Sequence, residues 1–475
     1  SCLGGTSLPE SGWRLLTVKH QLKTSSIISL LLRLFRKPSA LQSFRKFVQQ
    51  YPVEELVSKA TKGRQAIFPL SELDEFGKAI LGAPIYLEAP LRYDTLEKIL
   101  IVPPLYTPLR LKKMEDLMRE PLFTDVETTC TIGGFSSSLP VAVASMGSTP
   151  VYNKISLAVS KASAKIGIPI GIGENVATVW GYSKRVKPSQ PCFKERIMAY
   201  LDNLRDGFGG VFIQQSVEDA YDELWNRVYS DPDITPYIYE GKVAFEVKLG
   251  QGAKPGLGGE TFVERETALR LSEKYSFDAD PKTTNKQMYE RHSAPGTYTP
   301  EILRSMIRLL HNNYPRAKIW IKFGPYRDLA DVAALCDEEK VDAFWVDGKE
   351  GGTGLSPVTA LKDLGLPLLA VLGKISRLKQ RVDMDFICSG RIIDGGDAVK
   401  VLCFGAFAGI GRPVVVAAYA NGGDGVEKYF EALKTEIQLL TSAVGKYRLQ
   451  DLGLEDVAAV DRQLALDLGI RSVYD

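Results

Sequence analysis

The 475 residues are 45% apolar and 24% charged, which suits an ordinary globular core in one large domain with additions, or in two domains. A net charge of +2 gives no electrostatic reason to expect nucleic acid as a partner. The six cysteines, at 2, 130, 192, 336, 388 and 403, have neither metal-ligand spacing nor a disulfide pattern, so no bound metal is expected and buried free thiols in a reducing cytoplasm are.

Charge is uneven along the chain. Residues 1–50 hold eight Lys/Arg against one acid, Glu10, a balance of +7 that leaves −5 for the rest of a chain totalling +2. Within them, "SSIISLLLRLFRK" is too short, and too interrupted by Arg33, to span a bilayer. Three readings of this basic amphipathic segment stay open: a helix docked on its own domain or a partner subunit, a membrane-surface contact through residues 19–50, or a targeting peptide. Residues 51–140 are punctuated by proline ("GAPIYLEAPLRYD", "IVPPLYTPLR") and are expected to be an extension packed on the main domain.

After Pro140 short apolar runs alternate with helical periodicity. Strands are predicted at 141–145, 168–173, 243–248, 319–323, 343–347, 367–372, 385–389 and 407–411, most of them separated by amphipathic helices such as the one carrying Ile155, Ala158, Val159, Ala162 and Ile166. Eight such units fit a (β/α)8 TIM barrel over 141–420, with a doubly wound open sheet as the other solution. "GVFIQQ" (210–215) would be a ninth strand and is assigned to an insertion spanning 174–242. Residues 421–475 are expected to be a helical tail, with Val426, Phe430, Leu433, Ile437, Leu440 and Val444 on its buried face.

The unusual residues gather where a barrel of this kind places function, at the C-terminal strand ends. "SGR" and "GIGRP" follow the last two strands. The backbone N–H groups of Gly390, Arg391, Gly411 and Arg412 could converge there on a phosphate, with arginine side chains adding charged hydrogen bonds. Lys322, inside the strand "IWIKF", needs a partner: either an anionic ring system such as a flavin in the barrel mouth, or a buried carboxylate such as Glu246.

Four stretches, "GQGAKPGLGG", "KIWIKFG", "VDGKEGGTGLSP" and "SGRIIDGGDAVK…FGAFAGIG", resemble the FMN-binding synthase domain of the glutamate synthase family over about residues 125–420. Stand-alone relatives of that domain include the large subunit of N-methylglutamate synthase. The resemblance implies FMN as cofactor, with its phosphate on Gly390, Arg391, Gly411 and Arg412 and its ring near Ser145, Met146, Gln251 and Lys322. Gly351, Gly352 and Thr353 would let the backbone approach ring and substrate. Glu174, Gln251, Lys254 and Lys349 would face the substrate.

The departures from the family matter too. No cysteine follows Cys403, where the family holds an iron–sulfur centre, and no N-terminal-cysteine glutaminase domain is expected. The family's "GHDGGTG" reads "GKEGGTG", and a lysine, protonated near neutral pH unless strongly desolvated, disfavours the histidine-base chemistry of 2-hydroxy acid oxidation. The expectation is an FMN-dependent oxidoreductase acting on an amino acid, imino acid or 2-oxo acid by hydride transfer at flavin N5. A redox-neutral FMN isomerase or transferase, and a non-catalytic flavin-binding subunit, are the alternatives. A homo-oligomer is expected, cytoplasmic or peripheral to a membrane, with an electron donor or partner subunit as further partner.

Overall fold

Eight parallel strands pair in chain order and close on themselves: β1 (Val141–Met146), β2 (Ile170–Ile172), β3 (Val211–Gln215), β4 (Val243–Leu249), β5 (Lys318–Phe323), β6 (Ala343–Asp347), β7 (Asp385–Ser389) and β8 (Phe407–Ile410). The closing pair is β8 on β1, with Ala408 opposite Val141 and Ile410 opposite Val143. The computed structural model describes residues 53–63, 95–250, 255–351 and 363–475. The basic segment 1–50, the proline-rich stretch 82–94, Gln251 and Lys254, and Gly352 and Thr353 lie outside them.

The strands read as near-continuous apolar runs because a parallel barrel strand is buried on both faces, one toward the interior and one toward the helices. Helices α1 (Pro150–Ile166), α2 (Phe193–Leu201), α3 (Pro300–Asn313), α4 (Leu329–Glu338), α5 (Leu368–Leu378), α6 (Gly395–Cys403) and α7 (Arg412–Ala443) supply much of the outer layer. α1 buries Ile155, Val159 and Ala162, the face predicted from the sequence. Among the described residues no helix is long and apolar enough to cross a membrane.

Two predicted elements exchange roles. "GVFIQQ" is not part of an insertion: it is β3, with Phe212 and Gln214 turned into the barrel between β2 and β4. "PLLAVL" is not a strand but the start of α5, which buries Leu368, Leu369, Val371, Leu372 and Ile375 at helical spacing behind a proline N-cap. A short apolar run fits strand and helix alike, and only its neighbours decide. The segment 174–242 is therefore ordinary βα connection around β3. The larger excursion lies between β4 and β5, where Glu260–Glu264, Met288–His292 and Ser276–Phe277 form an antiparallel sheet.

The N-terminal end of the barrel is plugged by a hairpin, Cys130–Ile132 with Phe135–Ser137. Its tip enters beneath β5 and β7: the Trp320 indole donates to Gly133 O at 3.0 Å, and Gly133 N donates to Asp385 Oδ2 at 2.9 Å. Gly133 has φ +51, and a Cβ there would lie 2.5 Å from the Trp320 ring, so no side chain fits.

At the other end of the chain, α7 buries Val426, Phe430, Leu433 and Ile437 as the periodicity predicted. It docks the helix Val53–Lys62 through a Lys59–Glu436 ion pair of 2.6 Å. The tail is more than helical: Val457–Ala459 pairs antiparallel with Ile99–Ile101, joining it to the N-terminal extension in one small sheet.

Candidate active site

Inward-facing residues change character along the barrel axis. Near the plug they are Ala142, Phe212, Ala244, Trp320 and Ala343. One layer nearer the C-terminal ends, adjacent strands offer Gln214, Glu246, Lys322, Asp347 and Ser389, with Ser145 from β1, and these pair across the ladder.

Two carboxylates organise this layer. Asp347 Oδ1 accepts hydrogen bonds from Lys322 Nζ at 2.7 Å, from Trp345 Nε1 at 3.1 Å and from the Ser389 hydroxyl. The Lys322 ammonium also lies over the Trp345 ring, 4.2 Å from its centroid. The lysine thus has a carboxylate partner, but it is Asp347 rather than Glu246. Glu246 Oε2 accepts from Ser145 Oγ and Gln214 Nε2, each at 2.6 Å, while Oε1 has no hydrogen-bond partner. Complete burial pushes the Glu246 carboxyl pKa up, and the nearby Lys322 charge opposes that shift.

The loops above this layer are held from below. Glu174, after β2, pairs with Lys248 of β4 at 2.5 Å. The next residue, Asn175, is left-handed at φ +61, and its N–H donates to the buried Asp219 at 2.6 Å. Asp219 also accepts from the Thr178 hydroxyl at 2.7 Å, and burial pushes its pKa up to about 6.

Glu350 ties together the last three loops. Its carboxylate accepts from Leu368 N at 2.9 Å, capping the start of α5. Its carbonyl accepts from Arg412 Nη2 at 2.6 Å, binding the loop after β6 to the head of α7. Gly390, at φ +145, packs beside it: a Cβ there would lie 3.3 Å from Gly348 Cα and 3.4 Å from Glu350 Oε2. Arg391 follows in the left-handed region at φ +58, its guanidinium 3.7 Å from Glu97 of the N-terminal extension. Lys349 is buried, and its N–H donates to Leu366 O at 2.9 Å.

Ser145, Met146, Glu174, Lys322, Lys349, Gly351, Gly390, Arg391, Gly411 and Arg412 therefore all stand at the C-terminal ends of barrel strands or in the loops that follow them. The sequence reading missed Asp347, Ser389, Gln214, Lys248 and Asp219. For the first four a signal existed: each is the polar residue at an inward position near a strand's C-terminal end, visible once every strand is read with period two.

Residues 233–422 match the conserved region in glutamate synthase. This stretch is a glutamate synthase family domain. It contains β4 to β8 and so both carboxylate centres, while Ser145, Met146 and Glu174 lie before it.

The archaeal-type glutamate synthase [NADPH] of Dehalococcoides mccartyi is 30% identical over 188 residues, covering 38% of this chain and 36% of that protein. The glutamate synthase large subunit-like protein of Rhizobium meliloti is 31% identical over 192 residues, 39% of this chain and 42% of that one. The chain thus spans well under half the length of these relatives. Among solved structures, a mandelate oxidase bound to 3,3-difluoro-2-hydroxy-3-phenylpropionic acid overlaps 75% of this chain and 86% of that one, with 18% identity and a TM-score of 0.47. A flavocytochrome b2 variant with sulfite bound gives 18% identity and a TM-score of 0.49 over 76% of each chain.

Proposed function

We propose that the mouth of the barrel binds FMN and that the protein is an FMN-dependent oxidoreductase acting on an amino acid, imino acid or 2-oxo acid. The observation that carries this reading is the convergence of the loops after β6, β7 and β8 on Glu350, above a buried Lys322 ammonium. The residues present fit such a group. Gly390 and Arg391 both have positive φ, the kind of turn in which successive peptide N–H groups can face an anion. Gly411 heads the first segment of α7, which runs from Arg412 to the kink at Asn421 and Gly422, and among the described residues a Cβ there would meet Ala144 at 3.7 Å. A phosphate at this helix start gains both the N–H donors and the helix dipole. Glu246 Oε1, buried without a hydrogen-bond partner while Oε2 accepts from Ser145, leaves this polar layer with an acceptor that a bound group could satisfy.

When bound, FMN supplies hydride transfer at the substrate's α-carbon through its N5. The chain's own residues have distinct tasks in this reading. Gly390, Arg391, Gly411 and Arg412 hold the phosphate. Lys322, fixed by Asp347, would hold a cation near the ring, with Ser145 and Met146 also near it. Lys349 and Lys254 receive the substrate carboxylate, and Gln251 and Glu174 face the substrate, Glu174 from its Lys248 pair. Where the family has histidine, Lys349 offers no neutral imidazole base, so 2-hydroxy acids are not the substrates. An electron-donor protein or partner subunit belongs to the same proposal.

The test is direct. Purified protein should be yellow, hold one FMN per chain, and bleach anaerobically with an amino-acid donor but not with lactate or glycolate. A colourless protein that FMN cannot reconstitute would overturn the reading.

A further inference from the structure

We propose that residues 100–122 form the contact surface for a second copy of this chain, joined about a two-fold axis. The inference stands apart from any reading of the barrel mouth. It begins with a helix, Pro108–Leu117, that has no fully buried residue: Arg110, Lys113, Met114 and Leu117 are half-buried and the rest of its ten positions are exposed. Around it the chain exposes Leu105 at 87%, Tyr106 at 85% and Met118 at 89%, with Leu111 and Leu122 more than half exposed. Scattered apolar residues on a surface need no explanation, but several in one short segment mark an interaction site.

The segment is held in place, which separates it from a loose loop. Val102 N donates to Asp456 O at 2.8 Å. Arg110 Nη2 donates to Ser442 O at 2.5 Å, and Arg119 grips Asp125 through two bonds of 2.7 and 2.6 Å. A contact of this kind is preorganised and loses little conformational entropy on binding. The adjoining strand Ile99–Ile101 stands at the edge of its sheet, so the surface runs on to an edge that a partner can cover.

Charge identifies the occupant. Along the exposed face Lys112 precedes Glu115 and Asp116 by about one turn. Two such helices packed antiparallel bring each Lys112 against the other's Glu115 and Asp116, which is the self-complementarity a two-fold interface requires. Glu115, Asp116 and Glu120, exposed on the same segment, would be repelled by an anionic bilayer, whose attraction needs a basic surface, so a lipid surface is the less favoured occupant.

The test uses the full chain. Sedimentation equilibrium across the micromolar range should show a dimer. Leu105→Asp with Met118→Asp should give a monomer with unchanged near-ultraviolet circular dichroism. Lys112→Glu alone should weaken dimerisation about tenfold or more, and adding Glu115→Lys and Asp116→Lys should restore it, because the complementarity is then inverted rather than lost. A wild-type monomer would overturn the proposal, as would a dimer indifferent to the apolar pair or to the charge reversal. So would patch-dependent binding to phosphatidylcholine–phosphatidylserine vesicles by a chain that stays monomeric in solution. Loss of any flavin would refute the proposed function and leave this result standing.

Discussion

The two ends of the barrel are built by the same strands for opposite ends. At the plugged end Trp320 stacks on Phe212 with ring centroids 4.4 Å apart, tilts against Phe135 at 5.6 Å, and satisfies its one donor on Gly133. Two residues further along β5, Lys322 sits in a layer of carboxylates, a hydroxyl and an amide. Burial at the first end contributes stability. At the second it costs stability, since buried charges repay their lost hydration only through good partners. The contrast teaches where to look for function in a parallel barrel: where inward positions stop being apolar, the chain is spending stability on chemistry.

Substitutions can break that contrast or sharpen it. The largest effect is expected at the floor. Trp320→Ala should lower unfolding free energy by about 3–5 kcal/mol, measured by denaturant titration, while the fraction still folded keeps its FMN spectrum. Near it in size, Lys322→Met should cost about 3 kcal/mol by leaving Asp347 buried without its cation. It should also abolish substrate-driven bleaching. Adding Asp347→Asn should recover much of the stability and none of the bleaching; recovery of both would erase the distinction between the two ends.

Arg412→Ala should weaken FMN binding roughly tenfold to a hundredfold by fluorescence titration, the value of one charged hydrogen bond of about 1.5–3 kcal/mol. Glu350→Ala removes the carboxylate that caps α5 and should cost about 0.5–2 kcal/mol in thermal or denaturant unfolding.

The remaining effect is a pH dependence. Asp219 holds its proton more tightly in the folded chain, with a pKa pushed up to about 6 against an unfolded value of about 4. Its stabilising contribution is therefore full below about pH 4 and is lost as pH rises through about 6. The stability difference between wild type and Asp219→Asn should shrink by about 3 kcal/mol across that window, the value of a shift of about two pKa units, and a flat difference would count against the burial argument.

The glycine-rich stretch after β6 shows how far residue patterns reach. Its position after a strand, and its placement beside the loops of β7 and β8, were legible, because strand ends and glycine turns are local features. That Glu350 would cap α5, eighteen residues later, was not. Nor was Asp347 as the partner of Lys322, twenty-five residues away on the next strand, because register across a ladder is fixed only when the barrel closes. The two misplaced elements have the same cause. "GVFIQQ" and "PLLAVL" carry nearly the same local signal, and the choice between strand and helix lay with the partners: β2 and β4 for one, the Glu350 carboxylate and the outer helical layer for the other.

By itself, then, the sequence determined the alternation of strand and helix, the resemblance of the β4–β8 part to a known family, and the end at which polar and glycine-rich residues collect, since each is written in short-range pattern and composition. Tertiary structure alone decided which eight runs form the barrel, which carboxylate neutralises Lys322, and which apolar residues near the N-terminus stay on the surface. Those depend on contacts between residues far apart in the chain, and the free energy of such contacts exists only once the chain has closed around them.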